Sequence, residues 1–384
     1  MIRRLLPAVA VCLFASACVW PVPLPGEPVP SITVTADWSA TAGTIDLEVT
    51  AQNFTPSTVR IHPHGVNAPA LVDNTAPYEF SVDATSLAPG DHQMLVGATD
   101  WSTYVAEFVT LEVPGCNGSH HLCGEAYDSV HYATTHNAMS NATDGWTGPN
   151  QNLDVPAQLE AGVRALMLDT YRAGDLNGIG LVQVPDVDPD TPYLCHSFCS
   201  IGSQPLIEGL NEIRAFLDAN PGEVVTLIVE SYLSHSLTAA AFDEAGLSAY
   251  AYTYAGGTWP TLGEMVDNDQ RLIVLQDVDV DPTYPWLMDV WDLAFETHFS
   301  NSVPADFSCN HLRGSPSNDL FILNHFLTNV FGSPTLANQV NHNPLLIDRV
   351  NECETFHSTV ANFITVDFVD LGDTLAVVDA MNAP

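Results

Sequence analysis

Two patterns of apolar and polar residues divide the chain. From Ser31 to Val113 the two kinds alternate in short runs: Ile32-Thr33-Val34-Thr35, Thr44-Ile45-Asp46-Leu47-Glu48-Val49, Tyr78-Glu79-Phe80-Ser81-Val82 and Phe108-Val109-Thr110-Leu111-Glu112-Val113. Turn residues such as Ala88-Pro89-Gly90-Asp91 separate them. A strand with one buried face alternates in this way, and several at this spacing predict a small all-β sandwich over 31–113. Pro114-Gly115-Cys116 ends the pattern.

From 114 to 384 β-type and helical segments take turns. Leu206, Leu210, Ile213 and Leu217 recur at helical spacing, and Asn220-Pro221-Gly222 stops that helix. Val224 to Val229 then runs apolar without alternation, as a parallel strand buried on both faces does. Arg271-Leu272-Ile273-Val274-Leu275, Leu320-Phe321-Ile322-Leu323 and Phe363-Ile364-Thr365-Val366 repeat it. This is the signature of an α/β chain folded as a (β/α) barrel. The strand ends then carry His136, Asp169, His196, Glu230, Gln276, Asn324 and Asp367. Polar residues gathered there, on otherwise apolar strands, mark the functional face of such a barrel.

Composition narrows the partners. Nine basic residues, all arginine, stand against 46 acidic ones, for a net charge of −37. A surface so negative repels nucleic acid and anionic lipid at short range. Residues 1–18 read as an export signal: Arg3 and Arg4, an apolar run from Leu5 to Phe14, then Ala15-Ser16-Ala17-Cys18 in the manner of a lipobox. Prolines at 21, 23, 25, 28 and 30 make 19–30 a stiff tether, so an exported protein, anchored to a membrane by lipid or secreted, is expected. Cys116, Cys123, Cys195, Cys199, Cys309 and Cys353 remain after export, an even count that implies disulfides. Of fifteen connectivities the preferred one joins 116 to 123, 195 to 199 and 309 to 353; a zinc site on Cys195, His196 and Cys199 is the alternative. His62-Pro63-His64 is read as a loop and Asp186 to Asp190 and Asp279-Val280-Asp281 as solvated acidic turns.

The chemistry centres on Thr134-Thr135-His136-Asn137-Ala138-Met139-Ser140 and Leu194-Cys195-His196-Ser197. Imidazoles titrate near neutrality, so two of them facing one centre can share base and acid work. At these residues the chain resembles the X domain of phosphatidylinositol-specific phospholipase C, in the branch of secreted PLC-like phosphodiesterases. The likeness continues through Leu166-Met167-Leu168-Asp169, Phe216 to Thr226, Trp259-Pro260-Thr261-Leu262, Leu323-Asn324-His325-Phe326 and Ala361-Asn362-Phe363-Ile364. Ala76 to His92 is similar to bacterial immunoglobulin-like domains.

The resemblance implies a distorted (β/α)8 TIM-type barrel behind an immunoglobulin-like module. It also implies phosphodiester cleavage by attack of an inositol 2-hydroxyl, with His136 as general base, His196 as general acid and Asp169 beside them. Charge on the phosphoryl group would be met by calcium on Asn137, Asp169 and Glu230. Met167 replaces a further acidic ligand, and Tyr171 stands where other members carry an arginine. Arg172, one position on, and Tyr171, Gln276 and Asn324 are the candidate substrate contacts. With no lysine to hold ring phosphates, a phosphatidylinositol-like lipid or glycolipid with a neutral ring is expected. The rival readings are a glycerophosphodiesterase- or sphingomyelinase-like hydrolase and a non-catalytic lipid- or glycan-binding lipoprotein.

Overall fold

A computed structural model describes residues 28–384 apart from Val66, Trp101, 174–187, Pro189, Ser197, Phe198 and Val330. The export signal, the lipobox, most of the tether and much of the 186–190 acidic loop lie outside the described residues. The chain divides into two compact units between His120 and His121.

The first unit holds strands β1 (Ser31–Ser39), β2 (Thr44–Gln52), β3 (Thr58–His62), β4 (Leu71–Asp73), β5 (Tyr78–Asp83), β6 (Gly90–Thr99) and β7 (Tyr104–Val113). They form two antiparallel sheets, β1-β2-β5 and β4-β3-β6-β7. Alternation decides which side chains go inward: in β5, Tyr78, Phe80 and Val82 are buried while Glu79, Ser81 and Asp83 are exposed. Ile45, Leu47, Val59, Ile61, Met94, Val96 and Leu111 make the shared core. The tie to immunoglobulin-like domains rests on the sequence likeness alone.

The second unit is built on β8 (Tyr132–Thr135), β9 (Ala165–Arg172), β10 (Pro192–Leu194), β11 (Gln204–Pro205), β12 (Val225–Ser231), β13 (Leu272–Gln276), β14 (Leu287–Asp289), β15 (Ala294–Glu296), β16 (Leu320–Asn324) and β17 (Phe363–Val366). Eight of these pair in the order β14-β13-β12-β9-β8-β17-β16-β15, all parallel. That order is cyclic in the chain, as in a (β/α) barrel, with a seam between β14 and β15 that no pairing closes among the described residues. β10 and β11 form a hairpin laid antiparallel on the end of β9.

Helices cover the outside. Leu206–Ala219 buries Leu206, Leu210, Ile213, Phe216 and Leu217, the stripe its 3.6-residue spacing predicts, and Asn220 ends it by donating from Nδ2 to the Phe216 carbonyl. Val225, Leu227 and Val229 of β12 and Leu272 and Val274 of β13 pack in the same core against it. The strand residues between them therefore face the barrel axis.

Candidate active site

One cavity of about 380 Å³ has its wall built from strand ends and the loops that follow them. His136, Asn137, Asp169, His196, Glu230 and Asn324 all line it, together with Met167, Asp277, Glu296, Arg313, Phe326 and Asp367. Two imidazoles sixty positions apart in sequence thus share one space.

His136 leaves the end of β8, and its Nδ1 lies 2.8 Å from Oδ1 of Asp367, just past β17. With the carboxylate oxygen accepting, the imidazole donates from Nδ1, and Nε2 is the ring nitrogen left for other partners. Asn150 Nδ2 donates to the same Asp367 oxygen at 3.1 Å, which anchors the carboxylate independently. The ring is also held flat against Phe326, with centroids 3.9 Å apart and planes at 8°. Its orientation is therefore fixed from two sides.

His196 follows β10 on a loop clamped by the Cys195–Cys199 disulfide, whose Cα atoms are 5.1 Å apart. Burial lowers its pKa below the ordinary histidine value and the neighbouring His136 lowers it further, while Glu230 and Asp367 pull the other way. The bond consumes both sulfurs, which removes the zinc alternative. Cys309–Cys353 pairs as preferred, and Cys116 and Cys123 are also in disulfide form.

Asp169 sits on the axis-facing side of β9 with Met167. Burial pushes its carboxyl well above the usual range, and the charges of Glu230 and Asp277 add to that. Burial raises Asp277 too, against a bond from the Ser231 amide to its Oδ1 at 2.8 Å. Glu230 accepts from the Tyr232 hydroxyl at 2.5 Å. These oxygen donors, with the Asn137 side chain, have the chemistry a hard cation such as calcium takes, and their mutual repulsion is what a divalent ion would relieve. Among the described residues no three His, Cys, Asp or Glu side chains are gathered into a preformed cage.

Three expected substrate contacts stand outside the wall. Gln276 shares strand parity with Leu272 and Val274, so its side chain falls on the helix side of β13. Tyr171 turns into the core and stacks on Tyr232, centroids 4.4 Å apart. Arg172, drawn into the β9–β10 pairing opposite Pro192, reaches Asp190 at 3.5 Å instead of the cavity. Asn324 does line the wall, donating through Nδ2 to Glu296 Oε2 at 2.9 Å and to the Thr297 carbonyl at 2.8 Å. Sequence reasoning missed Arg313, which lies in a loop with no periodic pattern to single it out.

The arrangement is that of a (β/α)-barrel protein with two histidines in one carboxylate-rich pocket at the C-terminal ends of its strands. A family model described as PI-PLC X 1 matches residues 122–382, and the chain belongs to that X-domain family. It is 28% identical over 318 residues to a PI-PLC X domain-containing protein of Arthroderma benhamiae, covering 76% of this chain and 97% of that one. A PI-PLC X domain-containing protein of Arabidopsis thaliana is 30% identical over 288 residues, 68% of this chain and 63% of its own length. An uncharacterized secreted protein of Arthroderma benhamiae shares 26% over 371 residues, covering 83% of this chain and 79% of that protein. Among solved structures, a phosphatidylinositol-specific phospholipase C from Staphylococcus aureus aligns with 68% of this chain and 95% of its own, at TM-score 0.44 and 11% identity.

Proposed function

We propose that the cavity cleaves a phosphodiester in a phosphatidylinositol-like lipid or glycolipid, by two-histidine acid–base catalysis. The observation that carries the reading is His136, with Nδ1 held 2.8 Å from Asp367 Oδ1, in the same cavity as His196. His136 Nε2 takes the proton of the inositol 2-hydroxyl, whose oxygen forms a bond to phosphorus. The bond from phosphorus to the lipid alcohol breaks, and His196 gives its proton to the departing oxygen, leaving an inositol cyclic phosphate. Entry and departure lie on opposite sides of phosphorus, which is why two separate groups are needed. His196 must be protonated to act, and its burial opposes that. The negative charge of the bound diester favours the imidazolium and so arms the acid only when substrate is present.

Calcium, held by Asn137, Asp169 and Glu230 with Asp277 beside them, would supply positive charge to the cavity. The chain would act as an exported protein held at a membrane through its lipidated, Pro-rich start; no helix among the described residues is long and apolar enough to cross one. Phosphorus NMR of the full chain with phosphatidylinositol, with and without a calcium chelator, tests the reading. A cyclic phosphate as first product supports it. A non-cyclic phosphate from the outset supports the hydrolase alternative, and no turnover supports the binding protein.

A further inference from the structure

Arg313 is held in place by three independent contacts. Its backbone pairs with the last residue of β15: the Glu296 amide donates to the Arg313 carbonyl at 3.1 Å, and the Leu312 amide to the Glu296 carbonyl at 2.8 Å. Gly314 makes this approach possible, since at φ +72° a Cβ there would stand 2.1 Å from the Ala294 carbonyl oxygen. The guanidinium lies over Trp291, 4.2 Å from the ring centroid, and 5.1 Å from that of Phe299. Its Nε donates to Oε1 of Glu296 at 2.5 Å, and Asn324 occupies the other oxygen of that carboxylate.

That geometry uses Nε and leaves Nη1 and Nη2 without a hydrogen bond among the described residues. Among the described residues Arg313 is also the one arginine lining the cavity, whose wall carries the carboxylates of Asp169, Glu230, Asp277, Glu296 and Asp367. Apart from the two imidazoles, Arg313 brings the one positively charged side chain to a described wall that is otherwise rich in carboxylates, so an anion entering this space is drawn to it. A planar guanidinium with two parallel donors matches two oxygens of one phosphoryl group, and its orientation is already fixed before the anion arrives.

We propose that Arg313 is the anion-recognition residue of the cavity, taking two oxygens of a phosphoryl group on its Nη edge. The proposal rests on the site reading above, in which the phosphoryl group is the scissile diester; a monoester on the ring would offer the same oxygens. The contact itself does not depend on cleavage.

The test is arginine side-chain NMR and calorimetry on the full chain with a chelator present. Inorganic phosphate, a glycerophosphoinositol carrying one diester, and an inositol monophosphate are titrated in turn. Phosphate should shift the Arg313 resonances, and Arg313→Gln should weaken binding roughly ten- to a hundred-fold, the range for hydrogen bonds to charged groups. Arg313→Lys should recover part of it, since a point charge cannot make the paired contact. Glu296→Gln combined with Arg313→Gln removes both charges and keeps the test valid if the single variant unfolds. A preference for the monoester places the contact on the ring; equal affinity for the diester places it at the scissile group. Binding unchanged in both Gln variants, or absent from the unaltered chain, overturns the proposal. Phosphate binding lost in Arg313→Gln with no lipid cleavage by the unaltered chain keeps Arg313's role and removes the phospholipase reading.

Discussion

The Asp367 carboxylate offers a graded test of the two-histidine reading, because both His136 Nδ1 and Asn150 Nδ2 converge on its Oδ1. In Asp367→Asn the amide oxygen takes that place, since two donors face it, and its own NH2 turns to the other side. His136 keeps its tautomer and orientation and loses only the charge that stabilises the imidazolium. A hydrogen bond to a charged group is worth about 1.5–3 kcal/mol and a neutral one about 0.5–1.5, so the loss is on the order of 1–1.5 kcal/mol, roughly five- to fifteen-fold in rate. Asp367→Ala removes orientation as well, and the ring can take the tautomer with its proton on Nε2. The positioned base is then forfeited, at about 10²- to 10⁴-fold. Asp367 is 5% exposed, so the Ala variant also leaves the buried Asn150 Nδ2 without its acceptor, costing about 1–3 kcal/mol of stability. Phosphatidylinositol cleavage followed by phosphorus NMR gives kcat/KM, and thermal melts confirm that each variant is folded. Asp367→Asn as damaging as Asp367→Ala, or Asp367→Ala within twofold of the unaltered chain, refutes the reasoning.

Further outcomes follow from the same geometry. His136→Ala and His196→Ala each abolish cyclic phosphate formation, and activity that survives both unchanged rules out the assigned chemistry. His325 is fully buried, donates from Nε2 to the Val340 carbonyl and accepts from Arg349 on Nδ1; burial and that cation hold its pKa down to about 3. Unfolded, it takes a proton near the ordinary value of 6.5, so acid favours the unfolded chain and stability falls from pH 6.5 toward pH 3. His325→Gln should flatten the melting temperature over that window; an unchanged profile contradicts the assignment. The Cys309–Cys353 bond closes a loop of 44 residues, and chain-entropy reasoning gives about 4 kcal/mol for it. The double Ser variant should lose roughly 2–4 kcal/mol in denaturant titration.

Much of the architecture was readable before folding. Period-two alternation from Ser31 to Val113 requires strands with one covered face, and continuous apolar runs such as Val224 to Val229 require parallel strands buried on both. The polar residues ending those runs gather on one barrel rim because parallel strands all point their C-terminal ends the same way. That brings His136, Asp169, Glu230, Asn324 and Asp367 into one cavity wall. The same continuity hid what remained: a run apolar on both faces carries no alternation, so it does not say that Gln276 turns to the helices while Glu230 turns to the axis. Tyr171 and Arg172 shared that ambiguity, and the β10 hairpin settled it by pairing with the end of β9. Pairing of His136 with an acid 231 positions away, its stacking on Phe326, and the delivery of Arg313 by a loop folded back on β15 are products of tertiary closure. Local pattern records which faces a segment must bury; which distant side chains meet in the remaining space depends on how the barrel closes.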